Sequence, residues 1–206
     1  MDALTHEIAA AAARLVVDEG LDYGAAKRRA GEQLGAPGRG RLPDNDLLEA
    51  AVREHLAIFH AETQPRELAA LRRLALDWME RLAAFRPYVA GAVWQGTATR
   101  RSDIYLQLFC DDPKSAELAL IDQGLRYEAG EAPGLHGEPA QALSLSCRCP
   151  ELGPDGDAVA LHLLICDHDD LRGALKARAD GRVPRGDRAA LARRMAQEAP
   201  EDREAA

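Results

Sequence analysis

The stretch "VWQGTATRRSDIYLQLFCDD", residues 93–112, decides how the rest of this chain is interpreted. Its first residues end an apolar run that predicts a β-strand, and Gly96-Thr97 predicts the turn that closes the strand. After a short polar segment, Ser102-Asp103 opens a run of alternating apolar residues, which predicts another strand. The stretch therefore predicts two strands joined at a glycine turn, with an acid at the start of the second.

The residues from 88 onward alternate between short strand patterns and turn residues. The predicted strands are "YVAGAVWQ", "DIYLQLFC", "LRYEAGE", "ALSLSCRC" and "VALHLLICD". One helical segment, "PKSAELALIDQG", lies between the second and third strands, and a short one, "DHDDLRGALKA", follows the last. Because the helices do not alternate regularly with the strands, the pattern predicts an α+β domain with a mixed sheet.

The N-terminal 85 residues predict helices only. Thr5 is a candidate cap of the first helix and Gly20 its predicted end. After the Pro/Gly-rich connection "APGRGRLPDND", either Asp44 or Asp46 is predicted to cap the third helix. An amphipathic stripe marks that helix, formed by Leu47, Leu48, Ala51, Val52, Leu56 and Phe59. A fourth pattern, "RELAALRRLALDWMERLAAF", completes a predicted helical bundle.

Three segments make up the predicted organisation of the 206-residue chain. Residues 1–85 are predicted to form the helical bundle, residues 86–180 the α+β domain, and residues 181–206 a C-terminal helix with a charged tail. The helical bundle is also a candidate surface for a protein partner, in which case the sheet domain would serve as a scaffold.

Composition excludes several classes of protein. The formal net charge of −8 argues against a protein that coats nucleic acid, because phosphate contacts need clustered Lys and Arg. No run of 18 apolar residues exists, so no membrane-spanning helix is expected, and "MDALTHEI" lacks the basic region of a secretory signal. Four cysteines without an export signal indicate reduced thiols and predict a cytoplasmic, bacterial-type protein.

The opening stretch resembles the active-site turn of the nucleotidyltransferase superfamily of the DNA polymerase beta type, over roughly residues 88–167. In that family a Gly-Ser turn holds the nucleoside triphosphate, and two acids on the next strand join a third acid in binding two Mg²⁺ ions. The resemblance implies that Asp103 is the first of these acids and the catalytic residue of an active member. The candidate nucleotide- or phosphate-binding residues are Gly96, Thr97, Arg100, Arg101 and Ser102.

The remaining family positions depart from this pattern. Tyr105 occupies the place of the second acid, and a phenol is a poor Mg²⁺ ligand. The third acid is expected on "VALHLLICD", where Leu161 or His162 fills the inward position. These losses predict a degenerate site that binds a nucleotide or phosphate ligand without ordinary two-metal chemistry. Mg²⁺ stays a candidate cofactor, with Asp103 and His162 as its candidate ligands.

Two further hypotheses stay open. An active but divergent metal-dependent transferase would use Asp103 together with Asp111, His162 or Asp167. In the third hypothesis the glycine turn is an ordinary turn, and the chain acts only through a protein partner of its helices. A Ser-His-Asp hydrolase has no support, because the chain contains no Gly-x-Ser-x-Gly elbow.

Two other assignments are weak. Cys147 and Cys149 share a strand face, and Cys166 and His168 close the next strand, but zinc pairs usually lie on knuckle turns. Zinc is therefore not expected, and the cysteines are predicted to be buried. Similar proteobacterial sequences carry the label UDP-N-acetylmuramate–alanine ligase. Such ligases are much longer and contain a phosphate loop, so the sequence does not support that activity.

Overall fold

The computed structural model describes residues 3–36, 42–153, 157–177 and 181–198. Helices come first and a six-stranded mixed sheet follows, so the predicted α+β class is confirmed at that level. The chain forms two compact units. The helical unit contains Met1–Leu68 with Thr97–Ser102, and the sheet unit contains Ala69–Gly96 with Asp103–Ala206. The boundaries that the sequence pattern predicts, after residues 85 and 180, stay predictions.

The N-terminal helices are α1 (Ala3–Glu19), α2 (Tyr23–Gln33), α3 (Asn45–Phe59) and α4 (Gln64–Arg81). Asp22 caps α2 and Asp44 caps α3, each accepting a hydrogen bond from the backbone N–H three residues further on. Asp44 rather than Asp46 is therefore the cap of α3. The prediction that Thr5 caps α1 was wrong, because α1 already begins at Ala3. None of the helices in the described ranges is long and apolar enough to cross a membrane.

The helical unit has its own apolar core. The core side chains include Ile8, Ala12 and Leu15 of α1, Ala26 and Ala30 of α2, and Leu48, Val52 and Leu56 of α3. Phe59, which the amphipathic stripe placed in this core, is instead 68% exposed. The last turn of α3 lies beside the polar end of α1, where Asp18 faces His55 and His60, so Phe59 falls beyond the apolar core.

The sheet has the strand order β3-β4-β5-β2-β1-β6, in which β2 and β5 are parallel and the other neighbours antiparallel. Its strands are β1 (Pro87–Ala90), β2 (Ile104–Cys110), β3 (Glu128–Pro133), β4 (Pro139–Cys149), β5 (Asp157–Asp167) and β6 (Arg185–Gly186). The remaining helices are α5 (Gly91–Gln95), α6 (Pro113–Asp122), α7 (Leu171–Ala174) and α8 (Arg188–Glu198). The predicted C-terminal helix is confirmed as α8. The two-residue strand β6 was not predicted, since it is too short to show a period.

The first predicted strand, "YVAGAVWQ", is half strand and half helix. Strand β1 ends at Ala90, and Gly91 turns the chain with a φ of +66°, a conformation that favours glycine. The single helical turn α5 follows, and Gly96 ends it with a φ of +86°. Trp94 fixes this turn by donating from its indole Nε1 to the Val183 carbonyl at 2.7 Å. The glycine that directly follows the strand is therefore Gly91, not Gly96.

The two faces of the sheet differ. On the buried face, the β2–β5 pair carries the enclosed side chains of Ile104, Leu106, Leu108, Leu161, Leu163 and Ile165. On the opposite face, which we call the mixed face, the same strands carry Tyr105, Gln107, Phe109, His162, Leu164 and Cys166. The middle of both strands is thus anchored by an apolar face, which leaves the mixed face free to carry polar groups.

Candidate ligand-binding site

The mixed face brings together Asp103 and two residues, Tyr105 and His162, that the sequence resemblance assigns to the positions of the other two acids. Asp103 directly precedes β2, and Tyr105 is the second residue of that strand. The strand register pairs Tyr105 with His162 of β5, and His162 with Ser144 of β4. We call Asp103, Tyr105, Ser144 and His162 the polar cluster. All four residues belong to the sheet unit.

Hydrogen bonds fix the imidazole of His162 within the polar cluster. Its Nε2 lies 3.3 Å from Asp103 Oδ2, and its Nδ1 lies 2.8 Å from Ser144 Oγ. A carboxylate can only accept, so Nε2 carries the proton and donates to Asp103. In the neutral ring Nδ1 is then the acceptor, and the Ser144 hydroxyl donates to it. The Tyr105 ring stacks on the imidazole with centroids 4.8 Å apart and an interplanar angle of 24°.

The polar cluster is accessible to solvent. Tyr105 is 47% exposed, and the side chains of Asp103 and His162 are partly exposed. By contrast Leu161, the other residue that the sequence placed at the third-acid position, is fully buried on the opposite face. A ligand can therefore reach the carboxylate, the phenol and the imidazole from the mixed face, and His162 rather than Leu161 lies at this site.

In the turn that follows α5, the backbone amides of Thr99, Arg100 and Ser102 have acceptors within the protein, whereas the Thr97 hydroxyl has none in the described part of the chain. Thr97 is 4% exposed, and its Oγ1 has no hydrogen-bond partner among the described residues. The Thr99 N–H donates to Ser102 Oγ at 3.0 Å, and the Ser102 N–H donates to the Thr99 carbonyl at 2.8 Å. The Arg100 N–H donates to Glu67 Oε2 at 2.9 Å. Because these amides already have protein acceptors, a phosphate at this turn would depend on side chains rather than on a backbone cradle.

Arg100 and Arg101 are the exposed cationic side chains of this turn. A guanidinium presents paired N–H donors that match the oxygens of a phosphate. Gly96 has a structural role, since it ends α5 and donates its N–H to the Ala92 carbonyl at 2.9 Å. The nucleotide- or phosphate-binding roles of Gly96, Thr97, Arg100, Arg101 and Ser102 stay predictions.

Of the substitute ligands that an active transferase would need, only His162 lies beside Asp103. Asp111 directly follows β2 and Asp167 ends β5, and the register aligns these strand ends with each other. At about 3.3 Å of rise per residue, Asp111 is on the order of 25 Å along the strand from Asp103. Asp111 Oδ1 instead lies 3.8 Å from His168 Nδ1. Neither acid can share a metal ion with Asp103.

The cysteine pairs do not converge on a common site. Cys147 and Cys149 point to the buried face of the sheet, whereas Cys166 points to the mixed face. Burial raises the pKa values of the Cys147 and Cys149 thiols, which keeps them protonated, while zinc requires thiolates. The prediction that these cysteines are buried is confirmed.

Ser144 is the member of the polar cluster that the sequence did not suggest. The alternation in "ALSLSCRC" indicates that Ser144 and Ser146 face away from the leucines, but it does not give the register with β5. In the hydrogen-bonded series Ser144–His162–Asp103, the His162 imidazole is placed to act as a base for the Ser144 hydroxyl. Strand β4 is nevertheless paired on both sides, by β3 and by β5, so its amides are engaged in ladders rather than available to stabilise an oxyanion. Acyl transfer at Ser144 therefore gains no support.

The polar cluster as a whole is an accessible group of polar and aromatic side chains. It offers one carboxylate, one oriented imidazole and one half-exposed aromatic ring. No protein-family model matches this chain, and no curated protein matches it. The function is therefore inferred from these residues and their geometry.

Proposed function

We propose that the sheet unit is a nucleotidyltransferase-like domain that binds a nucleotide or another phosphate ligand and has lost two-metal catalysis. The observation that carries this proposal is the convergence of Asp103, Tyr105 and His162 on one accessible patch of the mixed face. In the family the corresponding positions are all acids. Here two of the three have changed while the patch stays assembled and exposed, as expected if the site retains a ligand after losing its metals.

A pair of Mg²⁺ ions does not fit the residues present. Mg²⁺ requires near-octahedral oxygen ligands, and Asp103 is the only carboxylate of the polar cluster. The Tyr105 phenol is a weak ligand, and the adjacent His162 ring donates its Nε2 proton to Asp103. Bridging two metal ions needs several carboxylate oxygens, so we derive no catalytic step through magnesium.

The side chains present support ligand binding in a different way. The half-exposed Tyr105 ring is a surface on which a nucleobase can stack, an interaction worth about 1–3 kcal/mol per base. Asp103 and His162 offer an acceptor and a donor for the hydroxyls or ring nitrogens of a nucleoside. Arg100 and Arg101 are exposed and belong to the helical unit, so the phosphate-binding role predicted for their guanidinium groups is a separate part of the proposal.

The test is thermal unfolding of the full chain with each of the four ribonucleoside triphosphates, in Mg²⁺ and in EDTA. A nucleotide at about a hundred times its Kd should stabilise the fold by about 2.7 kcal/mol and raise the unfolding midpoint. We expect Tyr105→Ala and His162→Ala to abolish the shift, while Tyr127→Ala, a tyrosine variant outside the polar cluster, retains it. Arg100→Ala tests the phosphate contact separately, with exposed Arg66→Ala as its matched control.

Each outcome distinguishes the hypotheses. A shift in both Mg²⁺ and EDTA, lost in Tyr105→Ala, supports metal-independent binding at the polar cluster. Pyrophosphate release that requires Mg²⁺ and disappears in Asp103→Ala contradicts the proposal and favours the divergent transferase. If no nucleotide moves the midpoint, nucleotide binding is refuted and a protein partner of the helices becomes the better hypothesis.

A further inference from the structure

In the helical unit, we propose that Asp18, His55 and His60 bind a divalent transition-metal ion of the Zn²⁺ class. These three residues, the histidine–aspartate cluster, lie wholly within one compact unit and are independent of the polar cluster. Asp18 is in the last turn of α1, His55 is near the end of α3, and His60 directly follows α3. The site is therefore built where the C-terminal ends of two helices meet.

The ligand atoms have a spacing that suits a metal. His55 Nε2 lies 3.5 Å and His60 Nε2 lies 3.2 Å from the same Asp18 oxygen, Oδ1. Two ligands at about 2.0–2.1 Å from a tetrahedral zinc ion are about 3.3–3.4 Å apart. Both observed nitrogen–oxygen separations are close to this value. All three ligand atoms lie within 4.8 Å of one another, so a small rotation of the partly exposed His60 ring completes the arrangement.

One nitrogen of the histidine–aspartate cluster lacks the hydrogen bond that burial demands. The His55 side chain is 11% exposed, and its Nε2 is buried without a hydrogen-bond partner among the described residues. It lies within ion-pair distance of Asp18, but not in hydrogen-bonding geometry. A buried, unsatisfied nitrogen costs free energy. A metal ion between Nε2 and Asp18 Oδ1 would satisfy both atoms.

The local charges also favour a cation. The C-terminal ends of α1 and α3 carry partial negative charge from their last carbonyl groups, and neither helix has a basic residue in its last turn. Asp18 adds a full negative charge at this position, where an acid is unfavourable. Glu19, the neighbouring acid, is paired with Arg29. A divalent ion on Asp18 would offset the negative potential of both helix ends.

The donor set identifies the chemical class of the ion. Two imidazoles and one carboxylate suit zinc, iron or cobalt rather than Mg²⁺ or Ca²⁺, which prefer oxygen ligands. Three protein ligands leave a fourth position for water, and the Asp18 side chain is solvent-accessible. Because Asp18 is on α1 and both histidines belong to the end of α3, the ion would crosslink two of the three helices that form the core of this unit.

The experiment is calorimetric titration of the metal-free full chain with ZnCl₂, followed by absorption spectroscopy with CoCl₂. We expect one zinc ion per chain and the d–d bands of a tetrahedral cobalt site. Asp18→Asn preserves the shape of the side chain while removing its charge, and His60→Ala removes a partly exposed ring, so both variants are expected to fold. Each should weaken zinc binding by more than the about 10–100-fold loss typical of an outer partner of a metal ligand.

Matched variants separate this site from non-specific binding. His6→Ala in α1 and His136→Ala in the sheet unit remove exposed histidines outside the histidine–aspartate cluster and should leave the zinc affinity unchanged. His55→Ala should abolish the cobalt bands. The absence of a stoichiometric zinc site in the wild-type chain would overturn the proposal. So would unchanged zinc affinity in both Asp18→Asn and His60→Ala, because the ion would then be held elsewhere.

Discussion

The mixed face of the sheet has two ends with opposite character, although the same two strands form both. At one end are Asp103, Tyr105 and His162, which are accessible and joined by a hydrogen bond and a ring stack. Four positions further along each strand, Phe109 and Cys166 are buried, and Ala174 of α7 packs against them. The difference shows that the covering elements, rather than the strands themselves, decide which part of the face contributes stability and which part can bind a ligand.

The sharpest test of this comparison is a pair of truncations on β2. Phe109→Ala should destabilise the fold by about 3–5 kcal/mol, because it empties a buried aromatic site that includes an edge-to-face contact with Tyr88. Tyr105→Ala, on the same face, should cost about 1 kcal/mol or less, since it removes one partly exposed cross-strand pair. Urea unfolding measures both. Equal losses would show that the accessible end of the mixed face, which holds Tyr105, is as much a part of the core as the covered end, which holds Phe109.

A second test uses the pH dependence of the free energy of unfolding, which reports on the Cys166 thiol at the covered end. Burial, and then the charge of Asp170, raises the pKa of the Cys166 thiol to about 12. In the unfolded chain the thiol has a pKa of about 8.5, so its contribution to stability is complete below that pH and is lost as the pH rises towards 12. The slope contributed by one proton is at most about 1.4 kcal/mol per pH unit. Urea unfolding between pH 8 and 10.5 should show a steeper fall for the wild type than for Cys166→Ala.

In this experiment the two proteins are compared by how steeply the free energy of unfolding changes with pH, and not by its absolute value. Cys166→Ala also removes packing, which lowers the free energy of unfolding equally at every pH. Parallel curves for the two proteins would mean that the thiol ionises as readily in the fold as in the unfolded chain. Water would then reach the Cys166 thiol more readily than the burial of the covered end indicates.

The smallest expected effect concerns the accessible end. Asp103→Ala removes the acceptor of the His162 Nε2 proton, so the preference for the Nε2–H tautomer should weaken, at a cost of about 1 kcal/mol. Ser144→Ala removes only the donor to Nδ1 and should leave that tautomer in place. Long-range ¹H–¹⁵N NMR spectra of the imidazole distinguish the two forms. An unchanged tautomer in Asp103→Ala would mean that the carboxylate does not orient the ring.

Much of the fold could be predicted from local patterns. The helical stripes, the Asp44 cap and the alternation of β2 each reflect the contacts of a few neighbouring residues, and they led to the correct α+β class. The errors lie where local patterns are ambiguous. Apolar residues 88–95 suit a strand or a helix equally, and only the positive φ of Gly91 divides them into β1 and α5. Phe59 fits the stripe of α3, but no local signal shows where the core ends.

The two candidate sites likewise combine features that are local in the sequence with contacts that are not. Alternation and turn chemistry are local properties, so the sequence alone specifies the types of residue available, including Asp103 before a strand and His162 within one. Which of these residues come into contact depends on the packing of distant parts of the chain. Asp103 and His162 are 59 residues apart in the chain, and Asp18 and His60 are 42 apart. Strand register and helix packing bring each pair together, and both are set by the burial of apolar surface over the whole of a compact unit rather than by any short segment.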